Sequence, residues 1–204
     1  MIRQWLRARR DRRTLEEWER RGRPVPPPHI VKQRLLRAYA ERYGLRTLVE
    51  TGTYRGDMVE AMRPVFEKIV SIELGQDLFT AARKRFKRVA HVELIQGDSA
   101  TELRRVVERL DRPSLFWLDG HYSAGETARG QKDTPIYEEL DQILGARDLG
   151  HVIVIDDARA FGSDPAYPSI DELRAFVLAK RPGARISIQD DSIRIEPPAA
   201  TSAS

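Results

Sequence analysis

The sequence predicts an α/β protein with a Rossmann-like, doubly wound sheet of seven strands, mostly parallel, that ends in an antiparallel hairpin. Five short apolar segments alternate with amphipathic segments along the 204 residues. This alternation is typical of a parallel sheet covered by helices on both faces. A turn with two glycines four residues apart follows the first apolar segment. Two further apolar segments flank Asp190 and Asp191 near the end, which indicates a hairpin.

Each of the five parallel strands is followed by a predicted helix. These strands span residues 47–50, 68–74, 91–98, 114–119 and 151–155, and the hairpin strands span 185–189 and 192–196. A helix over residues 30–43, ended by Gly44, precedes the first strand, because its apolar residues recur at helical spacing. Ser99 with Glu102 and Ser169 with Glu172 have the spacing of a helix capping box. The order of elements predicts one domain over residues 30–197.

Composition limits the classes of protein to which this chain can belong. Hydrophobic residues make up 41% of the sequence, which is enough for a buried core. No apolar run approaches the roughly 18 residues of a membrane span, so we expect no transmembrane helix. The absence of cysteine excludes disulfides, thiolate zinc sites and a cysteine nucleophile. We expect a cytoplasmic enzyme, since the arginine pairs near the amino terminus precede no apolar signal segment.

Residues 1–29 differ from the rest of the chain in charge. Residues 1–23 carry nine arginines against four acids, or +5, so that about −1 of the total +4 remains for the other residues. They should form a helix, joined to the domain by an extended proline-rich connector. This helix either packs against the domain or a second subunit of a homodimer, or contacts anionic lipid or nucleic acid. We expect a peripheral surface contact at most, no nucleic-acid partner, and a disordered tail over residues 198–204.

Acidic residues end all five predicted parallel strands. They are Glu50, Glu73, Asp98, Asp119 and the pair Asp156 and Asp157. An open α/β sheet binds its ligands beyond the carboxyl ends of its strands. Each acid alone could cap a helix or face solvent, but a structural protein has no reason to place one at every strand end. The set therefore predicts a ligand site along this edge of the sheet.

The turn after the first strand has the pattern of half a nucleotide-binding βαβ unit. It reads Thr-Leu-Val-Glu-Thr-Gly-Thr-Tyr-Arg-Gly-Asp over residues 47–57. Gly52 and Gly56 allow a sharp turn and a close approach of the backbone to a ligand. Their Gly-x-x-x-Gly spacing is less suited to a pyrophosphate than Gly-x-Gly-x-x-Gly, and this disfavours NAD.

The acids of the second and third strands indicate a nucleoside. Glu73 follows Glu50 by 23 residues, the separation expected of an acid that accepts hydrogen bonds from ribose hydroxyl groups. Asp98 could accept a hydrogen bond from an adenine amino group. Ser99 is a candidate for the same contact, or is simply the N-cap of the next helix.

Residues 47–196 resemble the class I S-adenosylmethionine-dependent methyltransferases in this turn, these acids and the terminal hairpin. The resemblance implies a methyltransferase domain over residues 30–197, with S-adenosylmethionine bound by Glu50, Thr51, Gly52, Thr53, Tyr54, Gly56, Glu73, Asp98, Ser99 and Asp119. In this family Glu50 would lie near the amino group of the cofactor, Glu73 at its ribose and Asp98 at its adenine. Tyr54 stands where the family commonly has a glycine.

The second half of the chain resembles a narrower group, the macrocin O-methyltransferase-like enzymes, which methylate sugar hydroxyl groups. Those enzymes bind a divalent cation through an aspartate after the fourth strand and an aspartate pair after the fifth, where this chain has Asp119, Asp156 and Asp157. Independently, three carboxylates at neighbouring strand ends repel one another unless a cation neutralises them, one is protonated, or they are well separated. All-oxygen ligation suits Mg²⁺. The resemblance implies a sugar, or another small-molecule or glycan acceptor.

His121, two residues after Asp119, is the candidate general base. Imidazole titrates near neutral pH, and a hydroxyl group is a poor nucleophile until it loses its proton. The family often has an aspartate here, and a metal ligand or a substrate hydrogen bond are alternative roles. The loop over residues 122–133 is long for a strand–helix connection and is expected to close over the acceptor. His91 and His151 begin strands at the opposite edge and are expected to be structural.

The residues leave other functions open. An NAD-dependent oxidoreductase uses a similar sheet, and a metal-dependent hydrolase could use the three aspartates. A cofactor-binding module without catalysis, recruited to a partner by the basic helix, would carry the same acids. With the resemblance included, the interpretation that we favour is a divalent-metal-dependent O-methyltransferase in which Asp119 and His121 are catalytic.

Overall fold

The computed structural model describes residues 2–120 and 134–199 of the chain. Its strands are β1 (Thr47–Thr51), β2 (Lys68–Glu73), β3 (Val92–Gln96), β4 (Leu115–Leu118), β5 (Val152–Ile155), β6 (Arg185–Gln189) and β7 (Ser192–Glu196). Its α-helices are α1 (Ile2–Arg20), α2 (His29–Tyr43), α3 (Asp57–Met62), α4 (Gln76–Phe86), α5 (Ser99–Glu108), α6 (Ile136–Gly145) and α7 (Ile170–Lys180). A 3₁₀ turn covers Ala158–Ala160. No helix within these ranges has an apolar stretch long enough to cross a membrane.

The seven strands form one sheet in the order β3-β2-β1-β4-β5-β7-β6. The first five are parallel, and β7 pairs antiparallel with both β5 and β6. The predicted fold class and hairpin are therefore confirmed. The strand order reverses between β1 and β4, which is the point at which such sheets bind their ligands.

Alternating side chains of the buried strands supply one hydrophobic core on each face of the sheet. In β4, Phe116 and Leu118 pack into the core beneath α5, α6 and α7. Leu115 and Trp117 pack into the opposite core, with α2, α3 and α4. All four side chains are at most 2% exposed, as expected for a central parallel strand with both faces covered. The carboxyl end of β4, which precedes Asp119, is consequently held by packing on both faces of the sheet.

Turn and cap chemistry fixes where the elements begin and end. Gly44 ends α2 in the left-handed conformation, and Asp190 and Asp191 both adopt positive φ in the hairpin turn, a conformation that aspartate tolerates better than most residues. Ser169 and Glu172 form the predicted capping box. The capping box predicted at Ser99 is wrong. Asp98 is the N-cap of α5 and accepts a hydrogen bond from the Ala100 amide at 2.9 Å.

Candidate active site

The turn between β1 and α3 is built on left-handed backbone at Gly52, Tyr54 and Gly56, with φ of 83°, 49° and 74°. A Cβ on Gly52 would lie 2.5 Å from the backbone oxygen of Asp119, so only glycine lets β1 and the end of β4 approach this closely. The conformation of Tyr54 is one that glycine adopts freely and other residues adopt at a cost. Tyr54 therefore adopts a backbone conformation in which glycine would be unstrained.

Glu73, at the end of β2, fastens this turn to the sheet. Its Oε2 accepts a hydrogen bond from the Tyr54 amide at 2.7 Å, and its Oε1 accepts one from the Gly75 amide at 2.8 Å. Only 5% of the residue is exposed. Each carboxylate oxygen can accept a second hydrogen bond, so the position remains compatible with the ribose contact. That contact stays a prediction.

Glu50 lies beneath the turn and is 1% exposed. The Ser71 hydroxyl donates to its Oε2 at 2.5 Å, and the same hydroxyl lies 2.6 Å from Thr53 Oγ1. Burial, together with the nearby charges of Asp119 and Glu73, raises the pKa of Glu50 to about 8, although the Ser71 hydrogen bond opposes the shift. Glu50 is therefore a mainly neutral acid at neutral pH. Its predicted contact with an amino group is untested.

Asp119, Asp156 and Asp157 converge at the ends of the adjacent strands β4 and β5. Each offers one carboxylate oxygen, and these three atoms lie within 4.8 Å of one another. Asp156 is 4% exposed, and its Oδ1 has no hydrogen-bond partner among the described residues. Burial is the largest cause of a raised pKa at Asp156, and the charge of Asp157 adds to it. The site therefore concentrates negative charge in a poorly solvated position.

Two cationic side chains that were not identified from the sequence contact this cluster, which we call the aspartate cluster. Lys32 of α2 donates to Asp156 Oδ2. Arg159 donates to Asp157 Oδ1 at 2.7 Å and also contacts the Asp191 carboxylate. Lys32 and Arg159 therefore neutralise part of the negative charge of the three aspartates, which the prediction from sequence had left to a metal ion.

The sequence carried only weak signals for these two cations. Lys32 precedes the buried residues Leu36 and Tyr39 by four and seven positions, so it shares their face of α2. Arg159 stands two residues after Asp157. Neither pattern by itself distinguishes a site residue from a solvated one.

The β6–β7 turn holds the end of β5 in place. The backbone oxygen of Asp191 accepts from the Ala158 amide at 2.9 Å, and its Oδ1 accepts from the Arg159 amide at 2.9 Å. Between these contacts and β5, Asp157 has a left-handed φ of 55°. Such a conformation persists in a non-glycine residue only where the surroundings hold it, and it is enriched at functional sites.

A further buried acid, Glu139, was not identified from the sequence. It lies on α6 at 2% exposure, and a Cβ on Gly120 would come within 3.3 Å of its Oε1. Burial raises its pKa to about 7, partly offset by the hydroxyl groups of Ser99 and Thr51. The available signal was an acid within the apolar stripe of α6, between Ile136 and Leu140.

The remaining candidates lie apart from this edge or outside the described residues. His121 and the loop over residues 122–133 are outside the described part of the chain. His91 and His151 lie at the opposite edge, where His91 Nε2 is 3.2 Å from the Arg63 oxygen. His151 Nδ1 accepts a hydrogen bond from the Ser114 amide at 3.1 Å, and burial lowers its pKa to about 4.

The structure is similar to solved structures of methyltransferases, whereas no protein-family model and no curated protein matches the sequence. An O-methyltransferase from Bacillus cereus, in complex with S-adenosylhomocysteine, matches with a TM-score of 0.59 and 15% identity over 91% of this chain and 90% of that one. The O-methyltransferase TomG from Streptomyces achromogenes, in complex with S-adenosylmethionine, matches with a TM-score of 0.58 and 18% identity, covering 93% and 89%. The Podospora anserina methyltransferase PaMTH1, bound to S-adenosylhomocysteine, matches with a TM-score of 0.58 and 17% identity, covering 91% and 88%.

The fold is thus the Rossmann-like methyltransferase fold, over nearly the full length of this chain and of these neighbours. At 15–18% identity the likeness establishes the fold, and the activity has to be argued from the residues of the site. The narrower resemblance to macrocin O-methyltransferase-like enzymes is not confirmed by these neighbours.

Proposed function

We propose that the protein is an S-adenosylmethionine-dependent O-methyltransferase with a divalent-metal site at Asp119, Asp156 and Asp157. The observation that carries this proposal is the convergence of three carboxylates beside the Gly52 turn, on a methyltransferase fold. The close approach of Gly52 to the Asp119 backbone places the Gly52 turn beside the three aspartates. A methyl donor held by the turn and an acceptor held by the aspartates would therefore be neighbours. Positioning two reactants side by side is the main contribution of such a site.

The residues of the turn fit the cofactor. Tyr54 and Gly75 donate their amides to Glu73, which fixes its carboxylate at the end of β2. A carboxylate held there can accept hydrogen bonds from the ribose hydroxyl groups. S-adenosylmethionine supplies the electrophilic methyl group, and the complexes formed by the three neighbours support this choice over NAD.

The aspartate cluster fits a hard divalent cation such as Mg²⁺. All its donors are carboxylate oxygens, the ligands that Mg²⁺ prefers. The unpartnered, buried Asp156 Oδ1 is an acceptor that a metal ligand bond would satisfy. Bound there, Mg²⁺ would orient an acceptor hydroxyl group and lower its pKa. His121, two residues from Asp119, is proposed to accept the hydroxyl proton.

A sugar or another small-molecule or glycan hydroxyl is the proposed acceptor. Transfer to oxygen is supported by neighbours that are themselves O-methyltransferases. The sugar is supported only by the resemblance of Asp119, Asp156 and Asp157 to the metal-binding aspartates of sugar O-methyltransferases.

Calorimetry with S-adenosylhomocysteine and with NAD tests the cofactor assignment. We expect binding of S-adenosylhomocysteine and no heat from NAD. The opposite result would identify an oxidoreductase and contradict the proposal. Binding of S-adenosylhomocysteine without transfer of labelled methyl groups to any component of a host extract would indicate a non-catalytic module instead.

Labelled S-adenosylmethionine in the same extract tests the role of the cluster, and mass spectrometry of the product identifies the acceptor. Asp157→Asn should abolish transfer while leaving S-adenosylhomocysteine affinity within about threefold, because it removes one metal ligand charge without changing shape, at a residue outside the predicted cofactor contacts. Asp171→Asn, an exposed position on α7, is the matched control and should behave as wild type. Full activity in excess chelator would disprove the metal requirement.

A further inference from the structure

We propose that Lys32 is a built-in counter-ion of the aspartate cluster, which a divalent cation must displace from Asp156 in order to bind. This inference rests on the proposed function, because it takes the cluster to be a metal site. It concerns a residue of α2, 124 positions away in sequence from Asp156.

Lys32 is held on two sides. Its Nζ donates to Asp156 Oδ2, and the two side chains are only 18% and 2% exposed. The same Nζ lies 5.9 Å from the centre of the Trp117 ring, within the range of a cation–π contact. The ammonium group therefore lies at the cluster and is not a solvated surface charge.

The contact uses only one oxygen of Asp156. The other, Oδ1, is buried without a hydrogen-bond partner in the described part of the chain. A divalent cation bound by the three aspartates would lie close to the Lys32 ammonium group, because both would contact the buried carboxylate of Asp156. At low effective dielectric, like charges within about 5 Å repel strongly, so the cation and the ammonium group compete.

The structure also provides space into which the ammonium group can move. A cavity of about 310 Å³ adjoins Lys32 between α1, α2 and the β6–β7 turn. The carboxylates of Glu19 and Asp190 line this cavity together with Arg23, Arg34 and Arg194. Asp190 already pairs with Arg194 at 3.7 Å, so Lys32 would share these acceptors with the arginines. Metal binding is therefore expected to exchange the Lys32 contact at Asp156 for contacts in this cavity, and Lys32 sets how tightly the metal binds.

Calorimetric titration with Mn²⁺ and Mg²⁺ tests this directly on the full-length protein. Lys32→Met keeps the length of the side chain and removes its charge. It is expected to bind Mn²⁺ at least about tenfold more tightly than wild type, because the competing charge is gone. Lys84→Met, an exposed position on α4, removes the same charge elsewhere and should leave the affinity unchanged.

The outcomes separate this inference from the function on which it rests. Equal or weaker Mn²⁺ binding by Lys32→Met would overturn the competition while leaving the metal site intact. If neither wild type nor variant binds Mn²⁺ while both bind S-adenosylhomocysteine, the metal site and the competition both fail but the cofactor assignment stands. Lys32→Gln repeats the titration should Lys32→Met fail to unfold cooperatively or to bind S-adenosylhomocysteine.

A different observation supports a second proposal about α1. We infer that the outward face of α1 binds an anionic phospholipid surface. Trp18 identifies the inward face, since it is 6% exposed and its Nε1 donates to the Pro24 oxygen at 2.8 Å. Leu6, Arg9 and Arg13 lie on the opposite face at helical spacing and are all exposed.

This outward face carries exposed apolar side chains next to exposed arginines, a combination that suits the surface of an anionic membrane. Trp5 and Leu6 are 60% and 52% exposed at the start of the helix, and the Arg9 guanidinium lies 5.5 Å from the Trp5 ring centre. Val25 of the connector is a further exposed apolar side chain, at 55%. Apolar side chains can enter the headgroup boundary while the arginines attract anionic headgroups.

Co-sedimentation with vesicles tests the surface. The full-length protein should bind vesicles containing phosphatidylglycerol and should not bind pure phosphatidylcholine. Arg9→Glu/Arg13→Glu should weaken binding at least about tenfold, since both attractions become repulsions. Arg83→Glu/Lys84→Glu, which reverses two charges at the end of α4, is the matched control and should bind as wild type.

Three results would overturn this second proposal. They are no binding to phosphatidylglycerol vesicles, equal loss in both double variants, and binding of an RNA oligonucleotide that excludes the vesicles. A homodimer in sedimentation equilibrium that the Trp5→Ala/Leu6→Ala variant dissociates would likewise assign the face to a second copy and contradict the lipid assignment.

Discussion

Replacing Glu50 with glutamine should remove a large pH dependence of folding stability. The folded-state pKa of Glu50 is about 8, against an ordinary value of 4.5, because the carboxyl group is buried. The folded state therefore binds this proton more tightly than the unfolded state. The stabilisation that this tighter proton binding gives to the folded state is complete below pH 4.5 and is lost as the pH rises through 8.

The size of the effect follows from that difference in pKa. At about 1.36 kcal/mol per pKa unit, the loss between pH 4.5 and 8 is about 5 kcal/mol. Glu50→Gln stays neutral at every pH and can still accept the hydrogen bond from Ser71. The stability of the variant relative to wild type should thus rise by about 1.4 kcal/mol for each pH unit between 5 and 8.

Urea unfolding at pH 5, 6, 7 and 8 measures this difference. The other buried acids, Glu139 among them, are common to both proteins, so their titration cancels. Glu41→Gln, at an exposed position on α2, is the matched control and should follow wild type at each pH. A constant difference between Glu50→Gln and wild type across this range would refute the assignment of Glu50 as a buried neutral acid.

Three other substitutions test single contacts of the fold and site. Gly52→Ala should destabilise the protein by at least about 2 kcal/mol more than Gly150→Ala in urea unfolding, because both have positive φ but only Gly52 faces backbone, at 2.5 Å from the Asp119 oxygen; equal losses would contradict this. His151→Gln should gain about 3 kcal/mol over wild type as the pH falls from 6.5 to 4, because the folded-state pKa of His151 is lowered to about 4 and only the unfolded wild type gains that proton; parallel pH profiles would disprove it. Glu73→Gln should weaken S-adenosylhomocysteine binding about tenfold in calorimetry, since an amide has fewer acceptor positions than the carboxylate that now binds two backbone amides; unchanged affinity would remove Glu73 from the cofactor site.

The fold could be predicted because its signals are local. The strands β4 and β5 are uninterrupted apolar runs, β3 mixes apolar and polar residues, and β6 and β7 have the predicted bounds 185–189 and 192–196. The pair of aspartates between them adopts the conformation that a tight hairpin requires. Even the acids at the strand ends follow from local order, because parallel strands bring their carboxyl ends to one edge.

Local signals also produced the error at α5. Ser99 and Glu102 have the spacing of a capping box, but Asp98 stands one residue earlier and caps the helix instead. Aspartate and serine are comparably good N-caps, so the sequence alone does not rank them. In the structure Asp98 has the extended backbone of an N-cap, with φ of −76° and ψ of 123°, while Ser99 is already the first residue of the helix.

The sequence by itself therefore determined the sheet, the hairpin and the row of acids, since each depends on residues close together in the chain. Only the tertiary structure decided what those acids contact. The packing of α2 on the sheet brings Lys32 to Asp156, and the β6–β7 turn brings Asp191 to Arg159. These contacts join residues that are far apart in the chain. A local sequence pattern cannot show which distant helix or turn will pack against a strand end. The charge balance of the site, and with it the competition proposed for Lys32, follows from that packing.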